Sequence, residues 1–127
     1  PKAGGPMMTV TQSRQALADA LNALTGVTMT LREPKNGRPG DGWTAAGELR
    51  PESFTTSMVD LKAVILLSAD YVKADELFDN LATAAMNAAT KNGLGTADVR
   101  VEPGIVPVGD TQSPMYALIV NASMEVQ

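Results

Sequence analysis

An α+β fold follows from the patterning of the 127-residue chain. Two stretches repeat apolar residues at helical spacing, and four others alternate or run apolar at strand spacing. Their order is α-β-β-α-β-β. Pairs of strands between helices predict a mixed, largely antiparallel sheet with the helices packed on one face. No internal repeat or linker marks a second domain, so residues 9–127 read as a single domain. Residues 1–8 read as a flexible N-terminal extension, with Met7 and Met8 as candidate natural starts.

The first helix is "TVTQSRQALADALNALTG". Thr9 and Gln12 match a capping box, and Gly26 stands where helices often close. Val10, Leu17, Leu21 and Leu24 share one face, with Ala16, Ala20 and Ala23 beside them. "VTMTLRE" then alternates, with Val27, Met29 and Leu31 on one side and Thr28, Thr30 and Arg32 on the other, as a half-buried strand does. In "FTTSMVDLKAVILLS" one face stays apolar through Val59, Leu61, Ala63, Ile65 and Leu67. The other changes from Asp60 and Lys62 to Val64 and Leu66. This predicts a central strand that enters half-exposed and ends covered on both sides.

The second helix is "DYVKADELFDNLATAAMNAATKNG", with Asp70 at its N-cap, Asp75 and Glu76 early, and Lys91, Asn92 and Gly93 closing it. Leu77, Leu81, Ala85 and Ala88 form one stripe, flanked by Phe78, Ala82, Met86 and Ala89. "ADVRVE" reads as a short strand and "PGIVPVGDTQSP" as a turn-laden connection. "MYALIVNASMEV" reads as a long last strand with Tyr116, Leu118, Val120, Ala122, Met124 and Val126 inward.

Composition narrows the chemistry. Hydrophobic residues make up 44%, charged residues 19% and aromatics only 4%, so the core must be aliphatic, with seven methionines as adaptable filler. The chain has no cysteine and no histidine, which removes disulfides, thiol catalysis, Cys/His zinc sites and the usual neutral-pH base. A net charge of −4 disfavours non-specific gripping of DNA. No run of 18 apolar residues is present to span a membrane, and "PKAGGPMM" lacks the apolar stretch of a signal peptide.

Motifs for catalysis or cofactors are weak. Asp70, Asp75, Glu76 and Asp79 lie opposite the apolar stripe of the second helix, so they read as a solvated face rather than a metal or acid/base site. "NGRPGDG" matches no phosphate-loop pattern and does not lead into a helix. Serines and threonines have no histidine or Ser-x-x-Lys partner, and Tyr71 and Tyr116 read as core or boundary residues. No catalytic, cofactor or metal site is expected.

The breaker-rich stretch between the first two predicted strands is the unusual feature. Residues 34–53 are far more than a hairpin needs, and they carry the single tryptophan in "EPKNGRPGDGW". If the flanking strands pair, ten extended residues per limb could project up to roughly 30 Å. One reading is a surface loop whose Trp43 folds back onto its own sheet. The other is an arm docking on a neighbouring chain, with Trp43 as anchor and Lys35, Arg38, Asp41 and Arg50 pairing around it.

Over residues 9–127 the chain resembles the tail terminator, or tail completion, proteins of long-tailed bacteriophages of the siphovirus type. The resemblance is carried by "QSRQALADALNAL", "VTMTLREP" with a loop into "RPGDGW", "MVDLKAVILLS" leading into "ADELFDNLATAAMNA", and the closing "YALIVNASMEV". It implies a non-enzymatic virion subunit without cofactor. Such subunits form a ring, expected to be a hexamer, that caps the tail tube at its head-proximal end and joins it to the head connector. Its partners would be further copies of itself, the tail tube protein and the head completion protein, after assembly in the host cytoplasm. DNA would only pass through the lumen, and no membrane would be involved. A head–tail connector or neck protein and a small dimeric ligand-binding α+β module are the alternatives, with a carboxylate hydrolase third.

Overall fold

The structure is a computed structural model that describes residues 9–90 and 96–126. The expected N-terminal extension and the closing residues Lys91–Gly93 lie outside this range. Helix α1 (Val10–Leu21) starts at the predicted capping box. Thr9 accepts from the Gln12 amide through its side chain, while the Gln12 side chain accepts from the Thr9 amide. The helix ends before the predicted Gly26, which instead adopts φ +80° just ahead of strand β1 (Thr28–Thr30).

Strand β2 (Asp41–Pro51) corrects the sequence reading. It occupies most of the expected arm, so the element order is α-β-β-β-α-β-β. Strand β3 (Ser57–Ser68), helix α2 (Tyr71–Thr90), strand β4 (Thr96–Val108) and strand β5 (Ser113–Val126) follow. The five strands lie in the order β1-β2-β3-β5-β4. Only β1 and β2 are parallel, and every other neighbouring pair is antiparallel. The fold is therefore α+β with a mixed sheet.

The parallel pair explains the long connection after β1. Residues 31–40 must carry the chain back along β1 before β2 can start beside it. They are pinned rather than slack: the Thr28 amide donates to the Gly40 carbonyl (2.9 Å) and the Gly40 amide to the Leu66 carbonyl (2.8 Å). Gly40 sits at φ +95°, where a Cβ would lie 2.4 Å from the Gly26 carbonyl oxygen, so glycine is required on both counts.

Strand β4 is a second correction. It does not stop at Glu102 but runs through "PGIVPV" to Val108, pairing with β5 almost to the turn at Gly109–Gln112. Its two prolines are tolerated because β4 is an edge strand and Pro103 and Pro107 share parity, so both missing N–H groups belong to one side of the strand.

The main core brings together Leu17 and Leu21 of α1, Ala74, Ala85 and Ala89 of α2, and the Val59-to-Leu67 face of β3 with Leu118, Val120 and Met124 of β5. Three fully or nearly buried alanines on α2 let that helix approach the sheet closely. Met86, read as flanking the stripe, is exposed, and Tyr71 is exposed while Tyr116 packs partly against the core. The first turn of α2 is tied by Asp70, whose carboxylate accepts from the Val72 amide at 3.0 Å. Arg14 fastens α1 to the sheet by donating to the carbonyls of Leu31 and Thr44.

Candidate interaction surfaces

The sheet face without helices divides along its length into an apolar and a polar half. At the apolar end Trp43, Val64, Leu66, Val108 and Ala117 form a second buried cluster, with Val106, Met115 and Ile119 against it. The loop after β1 lies over this end: a Cβ on Gly37 would come 2.6 Å from Leu66 Cδ1 and 3.3 Å from Val108 Cγ1. The loop's breakers thus let its backbone press onto an apolar patch that the helices do not reach.

At the polar end Arg50 binds the Asp60 carboxylate at 2.7 Å, and the nearly buried Ser123 hydroxyl donates to the other Asp60 oxygen at 2.9 Å. These two bonds hold the Asp60 carboxyl below its ordinary pKa, with Arg50 the larger cause and Ser123 the next. Asp60 in turn raises the Arg50 guanidinium. Glu48 adds a longer contact to Arg50 at 3.5 Å. Lys62 and Asn121 face each other in register, and Asn121 also bonds Glu102 at 3.4 Å. All the charged members are open to solvent, so this is a screened surface network.

Two further features lie at opposite ends of the molecule. The β2–β3 turn is an ordered tip: the Glu52 and Ser53 amides both donate to the Thr56 carbonyl at 3.1 Å, and the Ser53 and Thr56 hydroxyls meet at 2.7 Å. From it Phe54 stands fully in solvent, with a relative exposure of 109%. At the other end Asp75, Pro103, Gly104, Ile105 and Tyr116 bound a mostly apolar depression of about 450 Å³. Ile105 is more than half exposed there. So are Tyr71 and Val72, which lie four and three residues before Asp75 and therefore on the same face of α2.

Of the five residues read as an interface group, Arg50 stands apart from the other four, which lie within Lys35–Trp43. Trp43 is only 9% exposed and packs into its own sheet, as the fold-back reading has it. Asp41 closes a tight turn, accepting from the Arg38 amide at 3.0 Å, and the side chains of Lys35 and Arg38 are exposed nearby. Arg50 is nine residues farther along β2, about 30 Å away at strand rise, and is engaged with Asp60. Sequence reading missed Phe54 and Ile105. Their signal is a lone aromatic in the polar turn "ESFTTS" and a lone isoleucine in the proline-flanked "PGIVP".

Among the described residues no group of three or more acidic side chains is placed to hold a metal ion, and no helix is long and apolar enough to cross a membrane. Asp75 and Asp79 are exposed on α2. No protein-family model matches the chain, and neither does any curated protein.

Proposed function

We propose that the chain is a structural subunit that associates head to tail with copies of itself into a closed ring. In the reading the sequence resemblance supports, this is the ring, a hexamer, that caps a bacteriophage tail tube at its head-proximal end, ends tube growth and presents a surface to the head connector. Its other partners are then the tail tube protein and a head completion protein, with DNA passing through the lumen of the virion tail.

One observation carries the assembly reading. Among the exposed large apolar side chains, which include Leu49 and Met86, two groups stand apart: Phe54 at one end of the sheet and Ile105, Tyr71 and Val72 at the other. Scattered exposed hydrophobics are ordinary, but a fully exposed aromatic on an ordered turn and a separate apolar depression are what a heterologous contact uses. Two different patches on one chain generate rings or filaments, whereas a single self-complementary patch generates a dimer.

Negative-stain imaging of purified protein at about 1 mM, where contacts of about 4 kcal/mol become populated, tests this reading. Closed rings, alone or seated on the ends of tail tubes, are the expected result. A symmetric dimer, or monomers that ignore added tube ends, contradicts it.

A further inference from the structure

We infer that Asn36 is a site of spontaneous modification: its side-chain amide deamidates through a cyclic imide, and the isoaspartyl product loosens the loop over Leu66 and Val108. The reaction needs no partner and holds whether or not the chain self-assembles.

The chemistry starts from the pair Asn36-Gly37. The main-chain nitrogen of Gly37 gives up its proton to base and attacks Cγ of Asn36. A new N–C bond closes the ring, and the bond from Cγ to the side-chain nitrogen breaks to release ammonia. Water then opens the ring at either carbonyl. One opening leaves aspartate, and the other leaves isoaspartate, in which the main chain runs through Cβ and Cγ. Nothing is oxidised or reduced, and water is the only co-reactant. Glycine favours the attack because no Cβ shields its nitrogen.

The fold leaves this pair free to react. Asn36 is exposed, in the middle of a turn with Lys35. Among the described residues no hydrogen bond of ordinary geometry engages its side chain or the Gly37 amide. Fixed main chain resumes at the next residue, where the Arg38 amide donates to Asp41 at 3.0 Å. The Gly40 amide then donates to the Leu66 carbonyl at 2.8 Å.

The other asparagines of the described range are held. Asn22 accepts from the Met29 amide at 2.9 Å, and the Asn121 side chain donates to Glu102 at 3.4 Å. Asn80 and Asn87 lie inside α2, where the following amide belongs to the helix ladder. Each of the four is followed by alanine or leucine. The related Asp41-Gly42 pair is locked, because the Asp41 carboxylate holds the Arg38 amide and Gly42 is paired on both sides in the sheet.

Packing keeps the reactive pair in the loop and makes its product matter. A Cβ at position 37 would come 2.6 Å from Cδ1 of Leu66, itself 1% exposed, so glycine is favoured there. Isoaspartate adds one carbon to the main chain just before Gly37, in a loop whose far end is tied at Gly40. The extra length shifts the Gly37 backbone from its seat on Leu66 and Val108, within the cluster that holds Trp43. The new carboxylate also brings a negative charge between Lys35 and Arg38. Both bases are exposed and, among the described residues, neither makes an ion pair.

The purified chain is incubated at mildly alkaline pH, folded in buffer and unfolded in urea. Digests are read by mass spectrometry, with isoaspartate counted by protein isoaspartyl methyltransferase. Peptide mapping separates Asn36 from Asn92-Gly93, the same pair outside the described residues. In the folded protein Asn36 should convert about tenfold faster than Asn22 or Asn121, a barrier lower by about 1.4 kcal/mol. Its rate should match that in the unfolded chain, and Asn36→Gln should remove the signal. An Asn36 that stays amide when folded while the unfolded chain converts, or equal rates at Asn36, Asn22 and Asn121, overturns the assignment. The separated isoaspartyl protein should have a lower urea midpoint and redder Trp43 emission than Asn36→Asp, which carries the same charge on an ordinary main chain. Coincidence of those two forms overturns the loosening of the loop.

Discussion

Trp43 lies directly opposite Val64 on neighbouring strands, and both side chains belong to the buried cluster on the helix-free face of the sheet. The single tryptophan is therefore a packing residue of its own domain. Trp43→Ala should destabilise the fold by about 3 kcal/mol, at the lower end for a large aromatic because the residue is not fully buried. Urea unfolding checks this by circular dichroism. In the wild type the same transition should coincide with a red shift of the emission from Trp43.

Gly42 is confined more tightly than any side chain allows. A Cβ there would meet Met29 Sδ at 2.5 Å and the Val64 carbonyl oxygen at 2.7 Å. The methionine tip can move, but the β3 backbone is held by pairing on both sides. Gly42→Ala should cost about 1–3 kcal/mol, read as a lower urea midpoint with an unchanged slope.

Arg14 joins α1 to the carbonyls of Leu31 and Thr44. Its Nε and the Thr44 hydroxyl are buried without a partner among the described residues, so the site has little slack for a second loss. Arg14→Ala should cost about 2 kcal/mol through two unpaired carbonyls, within the usual range for bonds to a charged donor. Thermal melts of the variant check it. Arg14→Lys should recover only part of the loss, since an ammonium lacks the planar fork.

Asp60 is the acid whose ionisation the fold favours, through Arg50 and then Ser123. A carboxyl with a lowered folded-state pKa contributes stability above its unfolded value and loses it as pH falls through the folded value. Stability should therefore drop in the acid range below the ordinary carboxylate pKa. Asp60→Asn should flatten that drop, with little change in the limb at neutral to alkaline pH. Both partners are well exposed, so the difference should be small and should shrink further near 1 M salt. Urea midpoints measured across the acid range for the two proteins give the comparison.

The helices and the two long central strands were legible because their burial is periodic. The capping box at Thr9 and the odd-numbered face of β3 are both where the spacing puts them. Strand β2 was hidden by composition. "DGWTAAGELRP" has two glycines, two alanines and a terminal proline, and its extended form is imposed by β3 rather than by its own propensity. Strand β4 was cut short for a related reason: proline reads as a break unless the strand is known to lie at an edge. The interaction surface was the least legible part. Trp43 stands out by residue type, but tertiary packing decides its place, while Phe54 is exposed because no element crosses the hairpin tip.

Self-association through an exposed hairpin tip is open to light scattering of wild type beside Phe54→Ser across concentrations up to about 1 mM. The wild-type mass should climb with concentration towards several subunits, while Phe54→Ser remains monomeric with the same circular dichroism spectrum. A wild-type protein that stays monomeric throughout, or two proteins whose masses climb together, would contradict it.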